Sequence, residues 1–243
     1  MRELRRLNRM LSEGYTREND DYLDKYRHKV DVDGRFRILD GKRLAQVDSS
    51  VGGVVTVPDG IEVIQYSAFY KCSKVTGVIV PEGVVTIQQG AFTNCYGLEN
   101  IKLPSTLRNI ESYAFEECKS LYDVNLPGGL TILGMNAFES CNSLVKIVLP
   151  SSLPHINAGV FFNCTDLRSI EIPESVDEIG EEAFFGCRSL REIYIPGSVK
   201  FIGRRAFWYC DNLKLVTLSS QTRLPIYDLD HVFEPDVEIV KRP

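Results

Sequence analysis

The chain has 243 residues, of which 25% are charged, and its formal net charge is −5. This acidic balance argues against broad nucleic-acid binding, which needs a basic face that displaces counterions from phosphates. No apolar run approaches the roughly 20 residues of a transmembrane helix, and the first residues lack the apolar core and cleavage site of a signal peptide. A cytoplasmic location is therefore predicted for the chain as given.

Residues 1–30 are predicted to form a helical N-terminal cap or arm. Leu4, Leu7 and Leu11 fall on one face of a helix, and arginines surround the other side. One interpretation is a basic amphipathic arm that docks on a membrane or a partner. The favoured interpretation is a cap over the open end of a repeat stack, because the apolar stripe is short and later acidic residues cancel much of the charge.

Residues 31–57 are predicted to form a β-hairpin that leads into the repeats. Phe36 belongs to one arm, Asp40 and Gly41 form a typical turn dipeptide, and Leu44 belongs to the returning arm. The segment is therefore expected to act as an entry cap.

Seven consecutive copies of a 23-residue repeat fill residues 58–218. Three residue types recur at equivalent positions of the copies, and each set of equivalent positions is called a column below. The proline column is Pro58, Pro81, Pro104, Pro127, Pro150, Pro173 and Pro196. The cysteine column is Cys72, Cys95, Cys118, Cys141, Cys164, Cys187 and Cys210. The phenylalanine column is Phe69, Phe92, Phe115, Phe138, Phe161, Phe184 and Phe207. Uninterrupted repetition at this period is typical of a solenoid, in which each copy buries its apolar face against its neighbours.

Each copy is predicted to contain a strand, a bend and a short helical turn, which makes the chain an α/β repeat solenoid. In the third copy, Leu121, Val124 and Leu126 have the spacing of a strand with one buried face. Ala114 and Phe115 belong to a series with separations of three and four residues, which favours one helical turn laid over the strands. The stacked copies are expected to form one parallel sheet of roughly eight to ten strands.

The cysteine column is predicted to hold free thiols in the core. Parallel side chains about 4.8 Å apart do not match the geometry of a disulfide, and the number of cysteines, seven, is odd. The sequence has no C-x-x-C pair, and a column of one residue type does not converge on a tetrahedral metal site. No metal and no cofactor are therefore predicted.

Residues 219–243 depart from the repeat and are predicted to be a degenerate capping copy. Ser219 stands where the pattern has proline, whereas Val232 and Phe233 match the alanine-phenylalanine pair of the earlier copies. Atypical terminal copies are common in repeat proteins because the last copy must end the stack.

The residues from Leu98 to Cys118 follow the pattern Leu-x-x-Ile-x-Leu-Pro-x-x-Leu-x-x-Ile-x-x-x-Ala-Phe-x-x-Cys. This pattern resembles the BspA-like leucine-rich repeats, also called the Treponema-type or LRR_5 class, and the resemblance extends over about residues 36–243. It implies a right-handed arc with a parallel sheet on its concave face and short helical turns on the other side. It also implies a binding role, often in bacterial surface or adhesion proteins, so a cell-surface location would follow if the N-terminus is truncated.

The sequence shows no group of residues that suggests catalysis. His28, His155 and His231 occupy three unrelated contexts. No nucleophile elbow, phosphate-binding loop or zinc-protease motif is present in the sequence. The chain is therefore predicted not to be an enzyme.

The first candidate binding surface is the outward side of the predicted sheet. Its middle column contains Lys102, Asn125, Glu171 and Tyr194, a mixture that packing does not dictate. This variety is typical of a surface that recognises a protein. The alternative is a solvated sheet face without a partner.

The second candidate is an aromatic row, Phe162, Phe185 and Trp208, which follows the phenylalanine column in three successive copies. Exposed apolar patches often mark contacts, whereas the alternative is a stack that stabilises itself or lies under the C-terminal tail. The predicted function is noncatalytic binding of a protein partner. The alternative is a structural module that self-assembles into homo-oligomers.

Overall fold

The computed structural model describes residues 29–32, 34–222 and 231–242. These residues form nineteen β-strands and no α-helix, and the chain winds into a β-solenoid of about eight turns. Within these ranges, no helix has the length and apolar character that a membrane crossing requires. The predictions for residues 1–28, 223–230 and 243 lie outside the described residues.

The described part begins with three antiparallel strands. Strand β1 (Lys29–Val32) pairs with β2 (Phe36–Leu39), and β2 pairs with β3 (Arg43–Val47). The turn between β2 and β3 has Asp40 and Gly41 in the left-handed region. Strand β3 then pairs in parallel with β5 (Val63–Ile64), the first short strand of the repeats, so the hairpin continues into the solenoid.

Each turn of the solenoid, called a coil below, contains two strands separated by the proline bend. The strands before the proline form the first series: β4 (Gly53–Thr56), β6 (Val75–Ile79), β8 (Asn100–Lys102), β10 (Asp123–Val124), β12 (Lys146–Val148), β14 (Ser169–Glu171), β16 (Glu192–Ile195) and β18 (Leu215–Ser219). Strand β19 (Glu238–Arg242) pairs in parallel with β18 and ends this series.

The strands after the proline form the second series, and each is only two residues long: β5 (Val63–Ile64), β7 (Thr86–Ile87), β9 (Asn109–Ile110), β11 (Ile132–Leu133), β13 (His155–Ile156), β15 (Glu178–Ile179) and β17 (Phe201–Ile202). Parallel pairing therefore occurs on two sides of the solenoid. The prediction of one continuous sheet is wrong, because the strands are distributed over five sheets.

The predicted short helical turn is also wrong. After β9 the chain runs through consecutive turns instead of a helix. Tyr113 and Glu117 lie in the left-handed region, with φ of 59° and 60°. A right-handed helix requires negative φ at every residue, so two such residues around Ala114 and Phe115 prevent one from forming.

These left-handed residues recur in every copy and form two columns. The first is Ser67, Gly90, Tyr113, Asn136, Gly159, Glu182 and Arg205. The second is Lys71, Asn94, Glu117, Ser140, Asn163, Gly186 and Tyr209. Because most of these are not glycine, the turns carry a small conformational cost that stacking of the coils must offset.

The core is one apolar column that passes through all the coils. The rings of the phenylalanine column stack on each other with centroid separations from 4.5 Å to 5.9 Å. Phe233 continues the stack beyond the seven copies, with its ring centroid 5.1 Å from that of Phe207. The preceding alanine column is fully buried, which lets the chain approach this stack closely.

All seven cysteines are free and buried. In six of them the thiol donates a hydrogen bond to the carbonyl oxygen of the phenylalanine 26 residues earlier, as from Cys118 Sγ to Phe92 O at 3.2 Å. The thiols thus bridge neighbouring coils. Burial raises the pKa of the Cys72 thiol to about 12 and likewise raises the pKa of five of the others. The pKa of Cys95 is raised first by its hydrogen bond with Cys118 and then by burial.

Candidate functional site

The predicted middle column lies on the outer side of the first strand series. Lys102 is on β8, Asn125 directly follows β10, Glu171 is on β14 and Tyr194 is on β16, and all four side chains are exposed. The residue before each of them is buried, because successive side chains of a strand alternate between its two sides. These buried residues are Ile101, Val124, Ile170 and Ile193. The equivalent residue of the next copy, Thr217, is buried.

Large apolar side chains are also exposed on the first strand series or directly before its strands. Val148 is 61% exposed, Tyr122 is 52% exposed and Tyr194 is 47% exposed, and Val145 and Val54 are exposed as well. Tyr122 and Val145 directly precede β10 and β12, two residues before the buried Val124 and Ile147. Strand alternation therefore does not predict their exposure. We call this surface the strand face: Lys102, Tyr122, Asn125, Val145, Val148, Glu171 and Tyr194.

Charges of both signs surround the strand face. Arg168 and Arg191 are exposed beside the exposed Glu171 and Glu192, and Lys214 Nζ lies 2.7 Å from the Asp236 carboxylate. Ion pairs at such exposed positions contribute little to stability because solvent screens them. They are nevertheless able to discriminate between partners of different charge.

The aromatic row lies on the turn side of the solenoid, away from the first strand series. The rings of Phe162 and Phe185 stack with centroids 4.8 Å apart. Tyr209 contacts Phe185 edge-on at 4.9 Å, and the Arg205 guanidinium lies 5.2 Å from the ring centroid of Trp208. The three row members are half-buried and Tyr209 is exposed. Part of the row's apolar surface is therefore used in internal stacking.

The same column contains two glutamates in the preceding coils. Glu116 and Glu139 are half-buried. Burial, reinforced by the negative charge of Glu139, raises the pKa of Glu116, and burial also raises the pKa of Glu139. This column therefore changes from acidic to aromatic between Glu139 and Phe162.

The titratable groups are distributed over separate sides of the solenoid. His155 lies on β13 and Asp177 directly precedes β15. His155 Nδ1 lies 2.8 Å from a carboxylate oxygen of Asp177, and both side chains are partly exposed. Among the described residues, no group of three or more histidine, cysteine, aspartate or glutamate side chains could hold a metal ion. The arrangement offers extended surfaces for contact.

The comparisons with known proteins agree with this architecture. The chain matches the BspA type leucine rich repeat region in six copies, over residues 53–168 and 131–227. A leucine rich repeat protein from T. pallidum of known crystal structure is 33% identical over 70% of this chain and 82% of its own, with a TM-score of 0.65. The pneumococcal vaccine antigen PcpA is 17% identical over 87% of this chain and 47% of its own, with a TM-score of 0.55, and shows the fold alone. No match was found among curated proteins. Because the family match spans most of the solenoid, the chain belongs to the BspA-type leucine-rich repeat family.

Proposed function

We propose that the solenoid is a noncatalytic module that binds a protein partner through the strand face. Leucine-rich repeats generally serve as protein-interaction or surface-associated modules, and such solenoids are typically noncatalytic scaffolds. The observation that carries the proposal is the exposure of Val148 and Tyr194 on the outer side of the first strand series, together with that of Tyr122 directly before β10. Large apolar and aromatic side chains that a fold leaves in water are the usual anchors of protein interfaces.

The backbone beneath the strand face supports this role. Each strand that carries it pairs in parallel with at least one neighbour, as β8 with β10, β12 with β14 and β16 with β18. Side chains within each of these pairs are held at fixed spacings before a partner binds, which lowers the conformational entropy lost on binding. Lys102, Glu171 and the surrounding charges then provide the polar rim that is typical of an interface.

The test compares two matched triple variants with the wild type. The strand-face variant is Tyr122→Ser/Val148→Ser/Tyr194→Ser. The control variant is Val85→Ser/Ile132→Ser/Phe201→Ser, which removes three exposed apolar side chains from the coil surface around the second strand series. Each immobilised protein is incubated with an extract of the source cells, and the retained proteins are quantified by mass spectrometry.

We expect at least one protein that is retained by the wild type and the control variant but lost from the strand-face variant. Calorimetry with that purified partner should then show binding weakened by at least about tenfold in the strand-face variant. Equal retention by all three proteins, or equal loss from both variants, would contradict the proposal.

A second candidate function is self-assembly through the aromatic row. The exposed ring of Tyr209 and the half-buried rings of Phe185 and Trp208 form a contiguous aromatic surface, which favours contact with an apolar surface of a second copy. Light scattering on the wild type and on Phe185→Ser/Trp208→Ser tests it. A wild-type dimer and a folded monomeric variant are expected, and a monomeric wild type at concentrations up to about 100 μM would exclude assembly at physiological affinity.

A further inference from the structure

We infer that the solenoid contains one weak joint, between the coil that carries β10 and β11 and the next coil, which carries β12 and β13, and that the two halves of the molecule separate there first. We call this interface the central joint. The inference concerns the stability of the solenoid and does not depend on the proposed function.

Both series of strands are interrupted at the central joint. Strands β10 and β12 belong to different sheets, and so do β11 and β13. Among the described coils of the repeats, one other interruption occurs, between β14 and β16, but there the second series remains paired through β15 and β17. The central joint is thus the one interface between described coils at which neither series forms a ladder.

A single residue explains the interruption of the second series. In the other coils, the residue directly before the second-series strand donates its backbone N–H to the carbonyl oxygen of the equivalent residue in the preceding coil. Examples are Thr131 to Arg108 at 2.9 Å, Asp177 to Pro154 at 3.0 Å and Lys200 to Asp177 at 2.8 Å. Pro154 occupies this column in the coil after the joint. Proline has no N–H to donate, so the carbonyl of Thr131 loses the donor that its equivalents have.

Neighbouring side chains show further departures at the same interface. Asn157 Nδ2 donates to Leu133 O at 2.7 Å, where other coils use a backbone N–H for the equivalent bond, as from Gly180. The rings of Phe138 and Phe161 are 5.9 Å apart, the widest spacing in the stack. The interface is therefore looser in its core as well as at its surface.

The turn side still connects the two halves. The backbone N–H groups of Asn136, Phe138 and Ser140 donate to the carbonyl oxygens of the following coil, at 3.0 Å, 2.9 Å and 2.7 Å. These three bonds cross the central joint, and they must break when the halves part. Their amide protons are consequently direct reporters of opening.

The physics of stacked repeats makes a weak interface important. Each coil contacts only its neighbours, so stability is close to a sum of coil and interface contributions. Opening at the interface with the smallest contribution is the least costly opening that leaves both parts folded. Both ladders are lost at the central joint, and we expect it to be that interface.

Amide hydrogen exchange on the full chain, resolved by residue with NMR, tests the inference. The amides of Asn136, Phe138 and Ser140 are compared with the equivalent amides of the preceding coil, Tyr113, Phe115 and Glu117, and of the following coil, Gly159, Phe161 and Asn163. We expect the amides at the joint to exchange at least about tenfold faster than both sets, after correction for intrinsic rates.

Pro154→Thr is the decisive variant, because threonine occupies the same column in the preceding coil and restores the missing donor. It should slow exchange at the joint to within about threefold of the flanking coils. Lys200→Pro is the matched complement, since it removes the equivalent donor two coils later. It should create fast exchange at Glu182, Phe184 and Gly186, whose amides cross that later interface.

Equal exchange at the joint and in either flanking coil of the wild type would overturn the inference. So would unchanged exchange at the joint in a folded Pro154→Thr protein. If Lys200→Pro fails to fold, the comparison of the wild type with Pro154→Thr still decides the question.

Discussion

Single core residues contribute strongly to the stability of this protein because the same residue type recurs at the same position of every coil and stacks on its copies. Phe138 has Phe115 on one side at 5.1 Å and Phe161 on the other at 5.9 Å, and it is fully buried. Its contribution to stability therefore includes contacts with two neighbouring layers. An outward residue such as Tyr194 lacks this environment, since about half of its surface remains in water.

Replacing Phe138 by alanine should lower the free energy of unfolding by about 3–5 kcal/mol, because the cavity left between two stacked rings cannot close completely. Tyr194→Ala is the control and should change the unfolding free energy by less than about 0.5 kcal/mol. Urea denaturation followed by circular dichroism measures both. A neutral Phe138→Ala would show that the stacked column is not the main core.

The thiol column makes stability sensitive to alkaline pH. In the unfolded chain a thiol loses its proton near about pH 8.5, whereas burial raises the pKa of the folded Cys210 thiol to about 12. Above about pH 8.5 the unfolded state therefore binds fewer protons than the folded state, so the thiol's contribution to stability, complete below that pH, is lost as pH rises towards the folded pKa.

Cys210→Ala isolates this effect for one thiol. The difference in unfolding free energy between the wild type and the variant should shrink by about 1.4 kcal/mol for each pH unit above about 9. Denaturation series between pH 7 and pH 11 give this difference directly, with lysine and tyrosine contributions common to both proteins. A difference independent of pH would mean that the folded thiol ionises as readily as the unfolded one.

At the scale of elements, the sequence predicted the strands and the buried columns but not the connections between them. The spacing of Leu121 and Val124 follows directly from burial of one side of a strand, so it could be read without a structure. Separations of three and four residues around Ala114 and Phe115 arise equally from a helix and from consecutive turns. Residues with positive φ exclude the helix and leave consecutive turns. Tyr113 and Glu117 adopt positive φ, but neither residue type indicates that conformation in a sequence.

Small residues stand two positions after each proline of the repeats, and most of those with a hydroxyl group link neighbouring coils. The column is Gly60, Gly83, Thr106, Gly129, Ser152, Ser175 and Ser198. Thr106 Oγ1 donates to Val84 O at 2.9 Å, and Ser175 Oγ donates to Leu153 O at 2.7 Å. Ser152 makes the equivalent bond to Leu130. These hydroxyl groups therefore link consecutive coils beside the second strand series.

Ser198 belongs to this column but its buried hydroxyl has no hydrogen-bond partner, which provides a matched pair of variants. Ser175→Ala should lower the free energy of unfolding by about 0.5–1.5 kcal/mol, because it removes a hydrogen bond between coils. Ser198→Ala should be neutral or stabilising, because it removes a buried group that bonds to nothing. Equal losses in thermal or urea unfolding would contradict a role for the Ser175 bond.

At the scale of the whole molecule, the sequence predicted the solenoid because its columns are constrained by packing. It identified Lys102, Asn125, Glu171 and Tyr194 as outward residues through strand alternation, and the structure places all four on the exposed side. It could not identify the partner, because packing does not constrain outward residues. Cytoplasmic location and the role of the aromatic row remain predictions.

The central joint crosses the strand face, since Tyr122 precedes it and Val145 follows it. A partner that contacts both residues would link the two halves of the solenoid. If both proposals hold, saturating partner should slow amide exchange of Phe138, because binding then favours the closed interface.

The near-identity of the coils has a consequence for how the chain reaches its structure. The columns match after any whole number of repeats, so a strand of one copy can also pair with the strand of a copy that is not its neighbour. Such pairing leaves one or more copies outside the stack as a loop. Repeat proteins are prone to this form of misassembly. The antiparallel hairpin of β2 and β3 resembles none of the copies, and β3 pairs with β5. If assembly begins at this end, each copy has only one unpaired neighbour to join, and the coils are added in the correct order.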